Sequence, residues 1–236
     1  LAEGVERAAQ AVGQADAAGH PPTLANALVT HARGAFKLGD QELARTQYDR
    51  AIPVGLAAGD DRAVAMAATG MGHLTAFLDR DARVAERWFT IAEAEIQRIG
   101  GDQALRLEVL GARGDMYTML KRPKEALVHL QDARAILEGL GDSDPRRADD
   151  PELAIMLDRL ATAHQDLGDL ELAYTTFERA EAIARRALGP RNPTTINISA
   201  NYANSLTIGG RYHEAEARLA QIVVAMRETL PPDHWN

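Results

Sequence analysis

Histidine is the side chain in this sequence that could most readily bind a metal or carry protons near neutral pH. The seven histidines are His20, His31, His73, His129, His164, His213 and His234. No two of them lie three or four residues apart, so the chain lacks the His-Glu-x-x-His pair that a helix presents to zinc. We therefore expect core or solvated histidines, and we predict no metal site.

Two short stretches are similar to ligand-binding loops but lack the required spacing. "GDSDPRRADDPE" (141–152) alternates acidic residues, yet it has neither the spacing nor the distal glutamate of a calcium-binding EF-hand loop. "GMGH" (70–73) has too few glycines, and no preceding strand, for a nucleotide-binding loop. We interpret the first as an exposed loop. The glycines of the second either allow close helix packing or mark an irregular repeat.

No Ser/His/Asp or Lys/Glu arrangement suggests nucleophilic or acid–base catalysis. We therefore predict no catalytic residues and no cofactor in this chain.

Composition and charge narrow the class of protein further. Hydrophobic residues make up 46% of the 236 residues, which indicates a globular chain, and the prominence of alanine favours helices. The absence of cysteine excludes disulfides and thiolate-bound zinc. A net charge of −8 without a basic stripe is unfavourable for nucleic-acid binding, and no apolar run is long enough to cross a membrane. We expect a cytoplasmic protein. Because the chain starts at Leu1 without methionine, we also expect it to be a segment of a longer one.

A repeated pattern runs along the chain. Each unit has an alanine, a bulky residue four positions later, and a small or apolar residue three positions after that. The alanines are Ala44, Ala85, Ala126, Ala173 and Ala215; the bulky residues are Tyr48, Phe89, Leu130, Phe177 and Leu219; the last set is Ala51, Ala92, Ala133, Ala180 and Ile222. Small residues allow two helices to cross closely, and a large neighbour fills the gap beside the crossing. The pattern therefore predicts stacked helix hairpins.

Several positions within the units carry specific expectations. Gly39, Gly168 and Gly210 fall between helices, where a positive φ angle is useful, and Lys121 takes that position in the third unit. Pro53 lies inside a second helix and should kink it or end it early. Four tyrosines at repeat positions should be in the core: Tyr48, Tyr117, Tyr202 and Tyr212.

The order Gly, bulky residue, Ala, aromatic, Ala resembles the tetratricopeptide repeat. The spacing of about 42 residues is similar to that of the longer kinesin-light-chain variety. "ALGPRNPTT" (187–195) and "LPPDHW" (230–235) resemble its Leu-Gly-Pro-Asp-His-Pro linker. The resemblance implies an all-α fold, a right-handed superhelical solenoid of antiparallel helix hairpins, with about five units and a leading helix.

The repeat pattern divides the chain into eight parts. They are the second helix of a preceding unit (1–20), repeat 1 (21–60), an irregular repeat 2 (61–101), repeat 3 (102–140), an inserted loop (141–152), repeat 4 (153–190), repeat 5 (191–230) and the start of a linker (231–236).

The resemblance also implies where a ligand would bind. In this family the first helix of each unit lines a concave groove, and the matching positions here are Thr30, Arg33, Asp115, Asp158, Arg159, Thr162, Asn201 and Asn204. Asn201 and Asn204 share a helix face and could both donate to and accept from a peptide backbone. "ANYANSL" (200–206) resembles an Asn-Asn-Leu-Ala phrase of kinesin light chains. Alternatively, these asparagines bond only a neighbouring repeat, and Arg159 pairs either with a ligand acid or with Asp158.

The resemblance implies a module that binds a partner protein or peptide. More narrowly, "AERWFTIAEAEIQRIGGDQALRLEVLGARGDMY" (85–117) is similar to the region after the kinase domain in some bacterial Ser/Thr protein kinases, which implies a regulatory or docking role. The alternatives are the repeat arm of an ATP-dependent transcription regulator and a stand-alone scaffold, with a stand-alone enzyme the least favoured. We also predict weak homodimerisation through exposed ends of the solenoid.

Overall fold

The computed structural model describes residues 2–143 and 149–229, which form helices connected by short turns. The helices are α1 (Ala2–Ala17), α2 (Pro21–Lys37), α3 (Gln41–Ala58), α4 (Asp61–Leu74), α5 (Ala82–Arg98), α6 (Gln103–Met119), α7 (Pro123–Ser143), α8 (Pro151–Leu167), α9 (Leu170–Leu188), α10 (Pro193–Ile208) and α11 (Tyr212–Thr229). A π-helical turn, Thr75–Asp79, follows α4. The described residues contain no β-strand.

Two compact units divide the chain, an N-terminal unit of residues 1–116 and a C-terminal unit of residues 117–236. In the N-terminal unit α1 to α5 pack in chain order, each helix against the next. In the C-terminal unit α7 to α11 do the same. In both, consecutive first helices also touch, α2 with α4 and α8 with α10. The predicted all-α fold of stacked helix hairpins is confirmed.

Four of the turns contain a Gly-Asp dipeptide, in which the glycine ends one helix and the aspartate begins the next. The glycines Gly39, Gly59, Gly101 and Gly168 have φ between 65° and 87°, which closes the preceding helix. The aspartate that follows opens the next helix. Asp40 Oδ1, for example, accepts a hydrogen bond from the Leu43 amide at 3.1 Å. The positive φ predicted for Gly39, Gly168 and Gly210 is confirmed.

The small and large positions of the repeat form the core in four of the five units. All five alanines are at most 3% exposed, and Tyr48, Phe89, Leu130 and Phe177 at most 4%. The fifth unit differs, since Leu219 is 48% exposed. Tyr48 and Tyr202 are buried as predicted and Tyr117 is half-buried, but the prediction for Tyr212 is wrong. Its side chain is 66% exposed because no described helix covers that side of α11.

Two glycines of α4 allow bulky residues to approach the helix backbone. A Cβ on Gly70 would lie 2.2 Å from Cζ of Tyr48, and one on Gly72 would lie 2.5 Å from Cε1 of Phe89. The "GMGH" glycines therefore permit close helix packing, as one of the two interpretations held. The irregular second repeat then continues into the π-helical turn, which ends at Arg80 with a φ of 51°.

Pro53 does not end α3 early, because the helix continues to Ala58 and ends at Gly59 with a φ of 65°. The insertion predicted at 141–152 falls partly outside the described residues. α7 extends to Ser143 and α8 begins at Pro151, while 144–148 are not described. The linker predicted at 231–236 also lies outside them.

Candidate functional site

The surface formed by the first helices, α8 and α10, carries five of the eight predicted ligand-binding residues. Each helix buries an apolar stripe, with Leu157 and Leu160 on α8 and Tyr202 and Leu206 on α10. The residues between those stripes face outward, so this surface is polar. It carries Asp158, Arg159, Thr162, Asn201 and Asn204.

A bond between two hairpins organises this surface. The Asn201 side-chain amide donates to both carboxylate oxygens of Asp158, at 3.1 and 3.0 Å. The Thr162 hydroxyl donates to the Asp158 carbonyl one turn away, at 3.0 Å. Asn201 therefore bonds a neighbouring repeat, as the alternative interpretation proposed. Its amide oxygen can still accept a hydrogen bond from a ligand.

Asn204 lies three residues after Asn201 on the same face of α10. Its side chain is exposed, and no hydrogen bond engages it within the described part of the chain. One asparagine is thus fixed by Asp158 while the other remains open to a ligand. Arg159 is half-buried beside them.

The N-terminal unit places its predicted residues differently. Thr30 is exposed on α2, and its hydroxyl donates to the Asn26 carbonyl at 2.9 Å. Arg33 forms an ion pair with Glu108, which lies on the first helix two hairpins further along. Asp115 is half-buried on α6, seven residues after Glu108.

Tyr48 explains how the ion pair of Arg33 is held in place. Its ring lies against Gly70, and its hydroxyl shares a hydrogen bond with the Arg33 side chain. Burial raises the pKa of Tyr48 to about 12. A small residue on α4 thereby allows a buried tyrosine to position a surface arginine.

An aromatic cluster lies on α2, α4 and the π-helical turn. The ring centroid of Phe36 on α2 lies 5.1 Å from that of His73 on α4 and 6.4 Å from that of Phe77 in the π-helical turn. Phe77 is 45% exposed. The two first-helix surfaces therefore differ, since the N-terminal one carries exposed aromatic carbon and the C-terminal one carries two asparagine amides.

Sequence reasoning missed Glu108 and Phe77 as members of this surface and Tyr48 as the buried residue that contacts Arg33. The signal for Glu108 was its position seven residues before Asp115, which places both on one face of α6. Tyr48 was assigned only to the core, and Phe77 lay in a stretch that departs from the repeat.

A buried polar network lies between the second helices of the C-terminal unit. Glu181 on α9 is 6% exposed and accepts hydrogen bonds from Ser199 at 2.6 Å and Arg185 at 2.8 Å, and it pairs with Arg218. Burial alone would raise the pKa of Glu181, but these hydrogen bonds outweigh it and hold the pKa below its usual value. The Arg218 guanidinium also lies 3.7 Å from the Tyr202 ring centroid. Every member is engaged by another, so we interpret the network as structural.

A cavity of about 440 Å³ lies beside the network, between the turn after α9 and the second half of α11. Its lining is mainly apolar, with Pro190, Ile196 and Val224 among the contributors. Within the described residues, no three His, Cys, Asp or Glu side chains are placed to hold a metal ion. None of the described helices is both long and apolar enough to cross a membrane.

Comparison with known proteins agrees with this architecture. The family model for the tetratricopeptide repeat matches residues 152–228. No curated protein matches the chain in sequence.

Solved structures extend the similarity of fold to most of the chain. BtubC (BKLC) from P. vanneervenii superposes with a TM-score of 0.70 at 17% identity, covering 96% of this chain and 91% of its own. A kinesin-light-chain-like protein of Podosopora anserina, with nearly identical TPR-like repeats, gives a TM-score of 0.67 at 17% identity, covering 89% of this chain and 97% of its own. Tetratricopeptide repeats mediate protein–protein interaction. Residues 152–228 therefore match the tetratricopeptide-repeat family, and the fold of the chain is similar to that of kinesin-light-chain-like repeat proteins.

Proposed function

We propose that this chain binds an extended segment of a partner protein on the first-helix surface of α8 and α10. The observation that carries the proposal is the arrangement of the two asparagines. Asn201 is fixed by Asp158, while Asn204 is exposed on the same helix face. A side-chain amide offers one acceptor and two donors, which match the carbonyl and N–H groups of a peptide backbone.

Pre-organisation supports this assignment. The bond from Asn201 to Asp158 fixes the amide orientation before a ligand arrives, so less side-chain entropy is lost on binding. The occupant is thus a peptide bound mainly through its backbone.

The test begins with capture of partners by the immobilised chain and measurement of their Kd by calorimetry. The double variant Asn201→Ala/Asn204→Ala removes both amides, and each hydrogen bond lost should cost about 1 kcal/mol, or about fivefold in Kd. Thr175→Ala on α9 is the matched control, because Thr175 is exposed on a second helix. If the double variant keeps the wild-type Kd, the ligand binds elsewhere.

Asn204→Ala alone separates ligand contact from support. Since no hydrogen bond engages Asn204 within the described residues, this variant should weaken binding without changing the melting temperature. Equal loss of binding and stability would contradict the assignment.

A docking region of a larger signalling protein, such as a bacterial Ser/Thr kinase, is the biological setting that we propose. The support is the sequence similarity at residues 85–117 alone. Mass spectrometry of the native protein would test it. Peptides with an Asp-Phe-Gly and a His-Arg-Asp loop upstream of Leu1 are the expected result. A Walker loop would instead indicate an ATP-dependent transcription regulator, and a protein made only of repeats would indicate a scaffold.

A further inference from the structure

One face of α9 shows how the second helix of a unit packs against the next hairpin. Tyr174, Phe177, Glu181 and Ala184 lie one turn apart on that face, and each is at most 6% exposed. α10 covers them, with the Tyr202 ring stacked 5.6 Å from Phe177 and 6.3 Å from Tyr174. The face is therefore an interface between consecutive hairpins.

The equivalent face of α11 has no such cover among the described residues. Glu216, Leu219, Val223 and Met226 occupy the same positions 42 residues later. Leu219 is 48% exposed and Val223 40%, and α10 packs along the other side of α11. Leu219 corresponds to Phe177, which is fully buried. This face continues an interface that the fold uses elsewhere.

The charges at the two ends of the face are complementary to each other. Glu216 lies one turn before Leu219, and Arg227 lies one turn after Val223. Both are exposed, and neither forms an ion pair with another described residue. If a second copy of the helix were laid antiparallel on the first, Leu219 would meet Val223 and Glu216 would meet Arg227, twice by symmetry.

We propose that α11 of one copy packs antiparallel against α11 of a second copy, forming a two-fold symmetric dimer. The apolar centre of the interface is Leu219 and Val223, and two Glu216–Arg227 pairs close its ends. One helix face is a small contact, so the dimer is weak and concentration-dependent. It uses a second helix and does not depend on the proposed peptide surface.

Sedimentation velocity of the 236-residue chain over a wide concentration range is the first measurement. The wild-type chain should shift from monomer to dimer as its concentration rises. Leu219→Glu should abolish the shift, because it puts two carboxylates into the apolar centre. Val128→Glu on α7 is the matched control, since Val128 is 58% exposed outside this face and its variant should dimerise like wild type.

Charge reversal tests the antiparallel register. Glu216→Arg and Arg227→Glu should each weaken self-association about tenfold, because both end pairs become repulsive. An equimolar mixture of the two variants should restore wild-type affinity, since the mixed dimer regains both pairs. Circular dichroism of each variant verifies that the helices remain folded.

Three results would overturn the proposal. The first is a wild-type chain that stays monomeric up to about 1 mM, where a Kd corresponds to only about 4 kcal/mol of association free energy. The second is an unchanged dimer in a folded Leu219→Glu variant. The third is a pair of charge-reversal variants whose self-association is not restored by mixing. The first would mean that another occupant covers the face, and the last that the helices pair in another register.

Discussion

The N-terminal and C-terminal units carry the same repeat but pack their helices together through different residues. In the N-terminal unit Tyr48 and Phe89 press against Gly70 and Gly72, so a large side chain meets bare helix backbone. In the C-terminal unit Phe177 stacks on a tyrosine, and a buried carboxylate network lies alongside. Each unit also contains the other device, since buried Arg113 pairs with Glu86 and Glu93 in the N-terminal unit. In the C-terminal unit Gly209 leaves room for the Tyr174 hydroxyl. The same repeat pattern therefore combines steric fit and paired charges at different positions in the two units.

The largest expected effect comes from removing the steric fit in the N-terminal unit. Gly70→Ala would place a methyl 2.2 Å from Cζ of Tyr48, which α4 and the ring cannot both accommodate. We expect a loss of about 3 kcal/mol in the free energy of unfolding, measured by urea denaturation.

Gly13→Ala on α1 is the control, because a Cβ there meets nothing within 4 Å. That change should stabilise the protein by about 0.5–1 kcal/mol through helix propensity. If Gly70→Ala were as well tolerated as Gly13→Ala, close packing at α4 would not hold this unit together.

The next effect breaks the polar network of the C-terminal unit. Ser199 and Ser205 are both buried on α10, but only Ser199 has a partner, the Glu181 carboxylate. Ser199→Ala should cost about 2 kcal/mol, because a buried charge loses a hydrogen bond. Ser205→Ala should be neutral or stabilising, because it removes an unsatisfied hydroxyl. Equal losses in thermal unfolding would contradict a special role for the network.

A smaller gain should come from relaxing strained turns. Lys121 has a φ of 57° and makes the backbone bonds that glycine makes elsewhere, with its amide on Thr118 and the Arg122 amide on Tyr117. Lys121→Gly should stabilise the C-terminal unit by about 1 kcal/mol, since the left-handed region penalises a Cβ. The ion pair that it loses with Asp166 should contribute little, because the Lys121 side chain is 78% exposed and solvent screens its charge.

Arg80→Gly offers the corresponding test in the N-terminal unit, where φ is 51°. Differential scanning calorimetry should show a rise in Tm of a few degrees for either variant. A fall in Tm for both would mean that the side chains matter more than the backbone strain.

The last prediction concerns how the stability of each unit depends on pH. The effect is small at neutral pH, but its direction should differ between the two units. Burial raises the pKa of Tyr48 from 10.0 to about 12 in the folded state. The unfolded chain therefore loses this proton first, and the N-terminal unit loses stability as the pH rises from 10 to 12. Tyr48→Phe should remove that loss.

The C-terminal unit should lose stability on the acid side. Burial lowers the pKa of His164 below 6.5, and hydrogen bonds lower that of Glu181 below 4.5 despite its burial. In each case the unfolded chain takes up the proton first, so stability falls as the pH drops through these ranges. Hydrogen exchange resolved by unit should show the two opposite trends, and His164→Gln should reduce the slope between about pH 5 and 7.

Local features of the fold could be predicted because they depend on nearby residues. The Gly-Asp turns and the buried alanines follow from backbone conformation and spacing within one hairpin. Leu219 occupies a repeat position that is buried in the other four units, yet it is exposed, because burial depends on which helix lies opposite. Pro53 failed as a helix terminator for a similar reason, since packing of α3 outweighs the local penalty.

The candidate site could be predicted only in part. The residues of the first helices were correctly placed on α2, α6, α8 and α10, because helical period fixes which positions share a face. Their partners were not predicted. Arg33 pairs with Glu108, 75 residues away, and Asn201 with Asp158, 43 residues away. Such pairs depend on the stacking of the hairpins, which local spacing does not encode.

The all-helical fold, the positions of the turns and the small–large packing rule follow from the amino-acid sequence. These arise from interactions within about 40 residues, so one repeat unit contains the information for them. Which surface side chains are hydrogen-bonded and which are exposed to solvent depends on the tertiary structure, as with the bonded Asn201 and the exposed Asn204. It also decided that α9 is covered while the equivalent face of α11 is bare among the described residues. The physical reason is that burial and pairing depend on both residues of a contact, whereas the repeat pattern specifies only one of them.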